Sequence, residues 1–136
     1  MGNSVLAERE HSTLSASASH RWLACTASVK FTEGMPDNSS AYAEEGTRAH
    51  ELCAWKVAEM FKVQGVKKPE FKYDSATEEC ADGYAAFIAE KMTDSAAIFL
   101  EQRVDYSDYT APGSFGTADC VIVVGDTLKI VDYKHG

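Results

Sequence analysis

Apolar residues recur at helical spacing in two long stretches of the chain. The first runs from Ala41 to about Lys62, and the second begins at Ser75, where Ser75 and Glu78 have the spacing of a capping box. The apolar stripes are Ala49, Leu52, Cys53, Val57, Met60 and Phe61 in the first stretch, and Ala81, Tyr84, Ala85, Ile88 and Met92 in the second. Two amphipathic helices are therefore predicted: the first is expected to pack on the sheet, and the second is assigned a scaffold role.

The last third of the chain has the patterns of strands. Residues from Ile98 to Tyr106 alternate sufficiently for a strand, and two further strand-like segments, Cys120 to Val124 and Thr127 to Tyr133, flank Gly125-Asp126. A polar pair containing glycine between two such segments is typical of a tight hairpin turn. The order predicts an α+β chain in which N-terminal helices pack on a three-stranded antiparallel meander.

The N-terminal part is predicted from weaker signals. Residues 1–14 are polar and lack a pattern, so we expect a flexible leader there. A short helix capped by Ser15 and running to Cys25 follows, with Trp22 and Leu23 available for packing. At 136 residues the chain fits one domain, which we place over residues 15–136.

The predicted hairpin brings acidic residues together. If Gly125-Asp126 is the turn, Val124 faces Thr127, and counting back along both strands places Asp119 opposite Asp132. Their side chains would share one face, about 5 Å apart at Cβ, and Lys134 would lie on that face too.

Two carboxylates at this distance repel each other unless they share a proton or a cation. Mg²⁺ prefers oxygen ligands, and an ammonium beside it suits hydrolysis of a phosphodiester. The alternative, which stays open from these residues alone, is an exposed ion pair of Asp132 and Lys134 with little energetic weight.

These residues resemble a known family. Gly116-Thr-Ala-Asp119 and the strand end Asp132-Tyr-Lys134-His-Gly136 are similar to the core motifs of the PD-(D/E)XK nuclease superfamily, in particular its phage-associated RecB-like exonuclease branch. The N-terminal Ser-x-Ser-x-x-His-Arg-Trp-Leu-x-Cys pattern resembles the same group. The resemblance implies the first part of a restriction-endonuclease-like αβββαβ core, with its C-terminal helix and strand missing after Gly136. It also implies a metal-dependent DNA exonuclease of phage or bacterial recombination and repair.

The resemblance also implies roles for residues outside the two acids. His50, in Gly46-Thr-Arg-Ala-His50, matches the helix whose histidine reaches the metal, and the Tyr133 main-chain carbonyl would complete a shell of ligands around Mg²⁺ or Mn²⁺. Glu101 would be an acidic helper on the first strand. From the residues alone, His50 as a packed helix residue and Glu101 paired with Arg103 remain alternatives.

Composition limits the class of function. The net charge is −8, which weighs against tight binding of DNA by this chain alone because phosphate contacts come mainly from Lys and Arg. The four cysteines include no Cys-x-x-Cys pair, so we expect reduced, buried thiols. Some RecB-like proteins hold an iron-sulfur cluster through one upstream cysteine, which Cys25 could match, and three near the C-terminus; because that trio is absent here, the resemblance implies no cluster. The sequence has neither an export signal nor a run long enough to cross a membrane, which predicts an intracellular location. The resemblance implies the cytoplasm of a bacterium or of a phage-infected cell.

The three-stranded sheet is expected to have an open edge. Such an edge is normally covered, so either a second copy of the chain or another protein is expected there, or the chain is a fragment of a longer one. The alternative function is a non-catalytic module on a degenerate nuclease fold that binds nucleic acid or protein. A purely structural phage or host protein is a third interpretation.

Overall fold

A computed structural model describes residues 12–36 and 40–135. Within these ranges the chain forms four α-helices followed by a three-stranded antiparallel sheet in the order β1-β2-β3. The elements are α1 Ser19–Ala24, α2 Ala27–Phe31, α3 Ala41–Phe61, α4 Ser75–Lys91, β1 Ala97–Asp105, β2 Phe115–Val124 and β3 Thr127–Val131. The predicted α+β class, with helices preceding a meander, is confirmed.

The chain groups into two compact units. Of the described residues, 12–36 and 103–117 form one unit, and 40–102 and 118–135 form the other. This is a finer division than the sequence suggested. All residues predicted for the functional site belong to the second unit.

Helix α3 begins and ends with local capping. The Ser40 hydroxyl accepts a hydrogen bond from Ala43 N over 3.2 Å, and the helix ends where Lys62 takes a left-handed φ of 56°. Leu52, Cys53 and Val57 are buried, as predicted. The prediction for Met60 was wrong, because it is 50% exposed and lies outside the buried stripe.

Helix α4 begins at Ser75 as predicted, but a different residue caps it. The carboxylate of Asp74 accepts a hydrogen bond from Thr77 N over 2.8 Å, so Asp74 is the cap and the predicted Ser75 capping box is wrong. The predicted face is confirmed at Ala81, Ala85 and Ile88, all of which are buried.

Helices α3 and α4 pack on one face of the sheet. Their shared core consists of Val57, Ala85, Ile88, Cys120 and Ile122, all buried. Strands β2 and β3 pair antiparallel from Cys120–Val131 to Val124–Thr127 around Gly125-Asp126, which confirms the predicted turn and register. Gly125 has a φ of 55°, a conformation that glycine adopts without strain. β2 begins earlier than predicted, and β3 ends earlier.

The N-terminal helix is broken into shorter pieces. A 3₁₀ turn at Ala16–Ala18 precedes α1, and the Ser15 side chain makes no capping hydrogen bond, so the predicted cap is wrong. Instead the Ser15 carbonyl accepts from Trp22 Nε1 over 2.8 Å. Leu23 is 71% exposed rather than packed.

The predicted leader mostly lies outside the described residues. Its last three residues are described, and each makes a hydrogen bond to the segment around β2. Ser12 Oγ accepts from Phe115 N, Thr13 N donates to Gly113 O, and Leu14 O accepts from the Tyr106 hydroxyl.

The four cysteines are free thiols of two kinds. Cys53 and Cys120 are buried as expected, but Cys25 and Cys80 are exposed, which corrects the expectation of burial for all four. Cys80 lies on α4 away from its buried face, and Cys25 follows the exposed end of α1. Across the described parts of the chain, no helix has the length and apolar character needed to cross a membrane.

Candidate active site

Helix α3 and strand β2 bring His50 and Asp119 into contact. His50 Nδ1 lies 3.3 Å from Asp119 Oδ2, and the Asp119 side chain is only 13% exposed. His50 follows the buried Ala49 on α3, and Asp119 precedes the buried Cys120 on β2, so packing of the helix on the sheet sets this contact. Two of the predicted metal ligands therefore meet.

The segment after β3 closes on the same carboxylate. The Tyr133 main-chain N–H donates a hydrogen bond to Asp119 Oδ2 over 2.7 Å. The paired residues of β2 and β3 end at Cys120 and Val131, one position before Asp119 and Asp132. Tyr133, which follows β3, therefore contacts Asp119 through its main-chain N–H.

Asp132 and Lys134 form an ion pair at this end of the sheet. Lys134 Nζ lies 2.6 Å from Asp132 Oδ2, and both side chains are largely exposed. This hydrogen bond, and then the charges of Asp132 and Asp119, raise the pKa of the Lys134 ammonium above its usual value. Lys134 therefore carries its positive charge at neutral pH within electrostatic range of Asp119.

Glu101 occupies an unusual backbone conformation within β1. Its φ of 48° is left-handed, which costs a residue with a side chain about 1 kcal/mol or more. Partial desolvation and the charge of Asp119 raise the pKa of its carboxyl, while His50 lowers it. Glu101 is therefore within electrostatic range of the two residues in contact. Arg103, its alternative partner, has its guanidinium 3.6 Å from the Phe115 ring centre.

The Tyr133 ring contacts aromatic side chains of both long helices, α3 and α4. The Tyr133 ring meets His50 edge-on at 5.3 Å between ring centres and Tyr84 at 5.4 Å. Burial raises the pKa of the Cys53 thiol beside Tyr133 to about 12, so this thiol stays protonated. The orientation of His50 is thus fixed by packing as well as by Asp119.

Sequence reasoning missed two residues near the site. Tyr84 was assigned to the scaffold face of α4, yet its hydroxyl is buried without a hydrogen-bond partner. His135 Nε2 lies 3.4 Å from Glu45 Oε1 and thereby connects the segment after β3 to α3. The sequence offered one signal for each residue. Tyr84 is a tyrosine among alanines on a buried helix face, and His135 lies two positions after Tyr133.

The donor types fit a hard divalent cation, but their placement is incomplete. An imidazole nitrogen and a carboxylate converge in His50 and Asp119, while Asp132 is engaged by Lys134. Over residues 12–36 and 40–135, no group of three or more His, Cys, Asp or Glu side chains is placed to hold a metal ion. The predicted metal site, including Asp132 and the Tyr133 carbonyl, stays a prediction.

A cleft lies beside Glu101. It has a volume of about 820 Å³ and is lined by Glu51 and Glu101 together with the loop that follows α3. That loop carries Lys67 and Lys68, which also line the cleft. Glu101, Lys67 and Lys68 therefore line one concave surface.

Comparison with known proteins gives one family. The family model described as "Protein of unknown function (DUF2800)" matches residues 11–136. The chain belongs to the DUF2800 family. The match spans every residue of the candidate site in this DUF2800 chain, from His50 to Lys134. No solved structure matches it.

Proposed function

We propose that this DUF2800 protein is a metal-dependent nuclease that hydrolyses DNA phosphodiester bonds. The reaction is exonucleolytic and serves DNA recombination or repair in a phage or bacterium, in the cytoplasm. The observation that carries the proposal is the 3.3 Å contact between His50 Nδ1 and Asp119 Oδ2, made by distant elements beside a charged lysine. The resemblance of the two strand motifs to RecB-like nucleases supports the same chemistry.

The residues have separate roles in this proposal. His50, Asp119, Asp132 and the Tyr133 carbonyl would hold Mg²⁺ or Mn²⁺. The bound ion supplies polarisation of a phosphoryl oxygen and lowers the pKa of water.

Two further side chains, Lys134 and Glu101, act beside the proposed metal ligands. Lys134, held positive by Asp132, stabilises the negative charge that develops on the phosphate. Glu101 would be an acidic helper near the metal, and partial desolvation and the charge of Asp119 raise the pKa of its carboxyl.

The cleft beside Glu101 suits the substrate strand. Lys67 and Lys68 would contact phosphates, and Glu51 and Glu101 line the same cleft. With a net charge of −8, the chain is expected to bind DNA weakly and with strong salt dependence.

An assay of nucleotide release from labelled DNA tests the proposal. The wild type should require Mg²⁺ or Mn²⁺ and stop on addition of a chelator. Lys134→Met should lower the rate by about 100-fold, the scale for losing one charge-stabilising group. Lys30→Met, which removes an exposed lysine on α2, should leave the rate unchanged. Equal rates for Lys134→Met and the wild type would exclude this role.

Two observations favour a second candidate, a non-catalytic module that binds nucleic acid or protein. The ion pair with Lys134 engages Asp132, and the side chains of Leu128 and Ile130 on β3 are 60% and 64% exposed. Calorimetric titration with MnCl₂ separates the candidates. A nuclease site should bind Mn²⁺ in a way that Asp132→Asn weakens, whereas a module without the site should show no such binding.

A further inference from the structure

A second cavity lies in the unit formed by residues 12–36 and 103–117. Its volume is about 910 Å³, and all of its lining residues fall within residues 12–36. This volume is in the range of ligand pockets, about 300–1,000 Å³. None of the lining residues belongs to the candidate active site. The cavity is therefore a separate candidate for a ligand.

Hydrogen bonds hold the walls of this cavity in place. Ser12 Oγ accepts from Phe115 N over 2.8 Å, and Trp22 Nε1 donates to Ser15 O over 2.8 Å. Both serines and Trp22 line the cavity. The indole is bonded at its edge and stays partly exposed, so Trp22 offers a ligand an aromatic ring in a fixed position.

Three charged side chains line the cavity, and two of them are cations. Arg21, Lys30 and Glu33 are all exposed. Within residues 12–36 and 40–135, none of the three forms an ion pair. Arginine and lysine are the side chains that bind phosphate. Two cations beside one acid, in a chain with a net charge of −8, favour a ligand that carries phosphate.

An aromatic ring, two cations and one acid match the three parts of a nucleotide. A base stacks on an aromatic side chain, and cationic side chains bind the phosphates. A carboxylate such as that of Glu33 accepts hydrogen bonds from ribose hydroxyls. A DNA strand lacks the 2′-hydroxyl and would bring further phosphates towards Glu33. The cavity therefore fits a single ribonucleotide better than a strand of DNA.

We propose that this cavity binds a nucleoside diphosphate. The base stacks on Trp22, and the ribose hydroxyls donate hydrogen bonds to Glu33. Arg21 and Lys30 bind the two phosphates. The inference does not rest on the proposed function, because no step of DNA binding or hydrolysis is assigned to these residues. Substitution of Lys30 should accordingly change nucleotide binding and leave the release of nucleotides from DNA unchanged.

Calorimetric titration of the full chain with ADP, without divalent cation, tests the phosphate contacts. The wild type should bind ADP. Arg21→Met and Lys30→Met should each weaken the affinity by about 10-fold or more, the scale for losing a hydrogen bond to a charged group. Arg48→Met is the matched control and should leave the affinity unchanged. Arg48 is an exposed arginine on α3, and its guanidinium lies 5.9 Å from the Phe71 ring centre.

Pyrophosphate and tryptophan fluorescence test the contact with the base. Pyrophosphate should bind the wild type about 10-fold more weakly than ADP does, the scale for one base stacked on an aromatic side chain. The chain has two tryptophans, so Trp55→Phe leaves Trp22 as the fluorescent one. ADP should quench the fluorescence of this variant.

Four results would overturn the inference. The first two are absence of ADP binding by the wild type and equal affinity for ADP and pyrophosphate. The third is an ADP affinity that Arg21→Met does not change, which would place the nucleotide elsewhere. The fourth is a single-stranded DNA oligonucleotide that binds more tightly than ADP and is weakened by Arg21→Met, because the cavity would then take a strand.

Discussion

The main-chain N–H of Tyr133 donates a hydrogen bond to Asp119 Oδ2, with 2.7 Å between the atoms. The same oxygen lies 3.3 Å from His50 Nδ1. The Asp119 carboxylate on β2 therefore contacts both α3, through His50, and the segment after β3, through Tyr133. Asp119 has a structural role in addition to the one proposed in catalysis, and the two roles can be separated by substitution.

Asp119→Asn and Asp119→Ala should differ in stability. Asparagine retains a carbonyl oxygen that can accept from Tyr133 N, whereas alanine leaves that N–H unpaired. We expect Asp119→Ala to lower the free energy of unfolding by about 1–3 kcal/mol and Asp119→Asn to lower it by less. Urea denaturation checks this. Equal losses in the two variants would show that the hydrogen bond contributes nothing measurable.

Lys56 connects α3 to α4 through two acids. Its Nζ lies 3.0 Å from Glu78 Oε1 and 2.8 Å from Asp82 Oδ1, and the lysine side chain is 16% exposed. Because both acids are about half exposed, Lys56→Met should lower the free energy of unfolding by only about 1 kcal/mol at pH 7. Lys72→Met, an exposed lysine on the same unit, is the control.

The contribution of Lys56 should depend on pH in one direction. The hydrogen bonds that Lys56 donates to Asp82 and Glu78 raise its pKa above that of lysine in the unfolded chain. Its stabilising effect is therefore full below about pH 10.4, the ordinary lysine pKa, and is lost as the pH rises through the raised value. Urea denaturation of wild type and Lys56→Met from pH 7 upward should show converging stabilities. A difference that grew with pH would contradict this assignment.

The cysteines should react in two classes. Burial raises the pKa of Cys53 to about 12 and of Cys120 to about 11, whereas Cys25 and Cys80 are exposed. A thiol reagent at pH 8 should modify Cys25 and Cys80 rapidly and the other two only after unfolding. Cys25→Ser and Cys80→Ser should each remove one fast-reacting thiol. A fast phase that survives in the double variant would show that a buried thiol is accessible.

Lys67 and Lys68 should govern the salt dependence of DNA binding. If both contact phosphates, replacing them with alanine should reduce the slope of log affinity against log salt by about 1 for each lysine. Fluorescence anisotropy with labelled DNA, without divalent cation, measures the slope. Lys30→Ala should leave the slope unchanged, and an unchanged slope in the Lys67→Ala, Lys68→Ala double variant would remove the cleft from the DNA path.

Periodic patterns predicted the scaffold well because they record which face is buried. The two long helices and the β2–β3 register follow from spacing and from Gly125-Asp126. The cap of α4 could not be chosen in this way, since Asp74 and Ser75 are both good caps and local backbone geometry decides between them.

Features that depend on tertiary packing were harder to predict. The left-handed φ of Glu101 and the buried hydroxyl of Tyr84 arise from how α4 and β1 meet the rest of the fold. The motifs indicated His50 and Asp119 as neighbours, and packing of α3 on β2 brings them together. The sequence also offered an exposed ion pair of Asp132 and Lys134 as an alternative, and the structure contains that ion pair.

The most direct measurement is Mn²⁺-dependent release of nucleotides from end-labelled DNA by purified wild type and Asp119→Asn. We expect the wild type to release nucleotides until a chelator is added, and the folded Asp119→Asn variant to release none above background. Equal metal-dependent release by both proteins would contradict the assignment of the site to Asp119 and its neighbours.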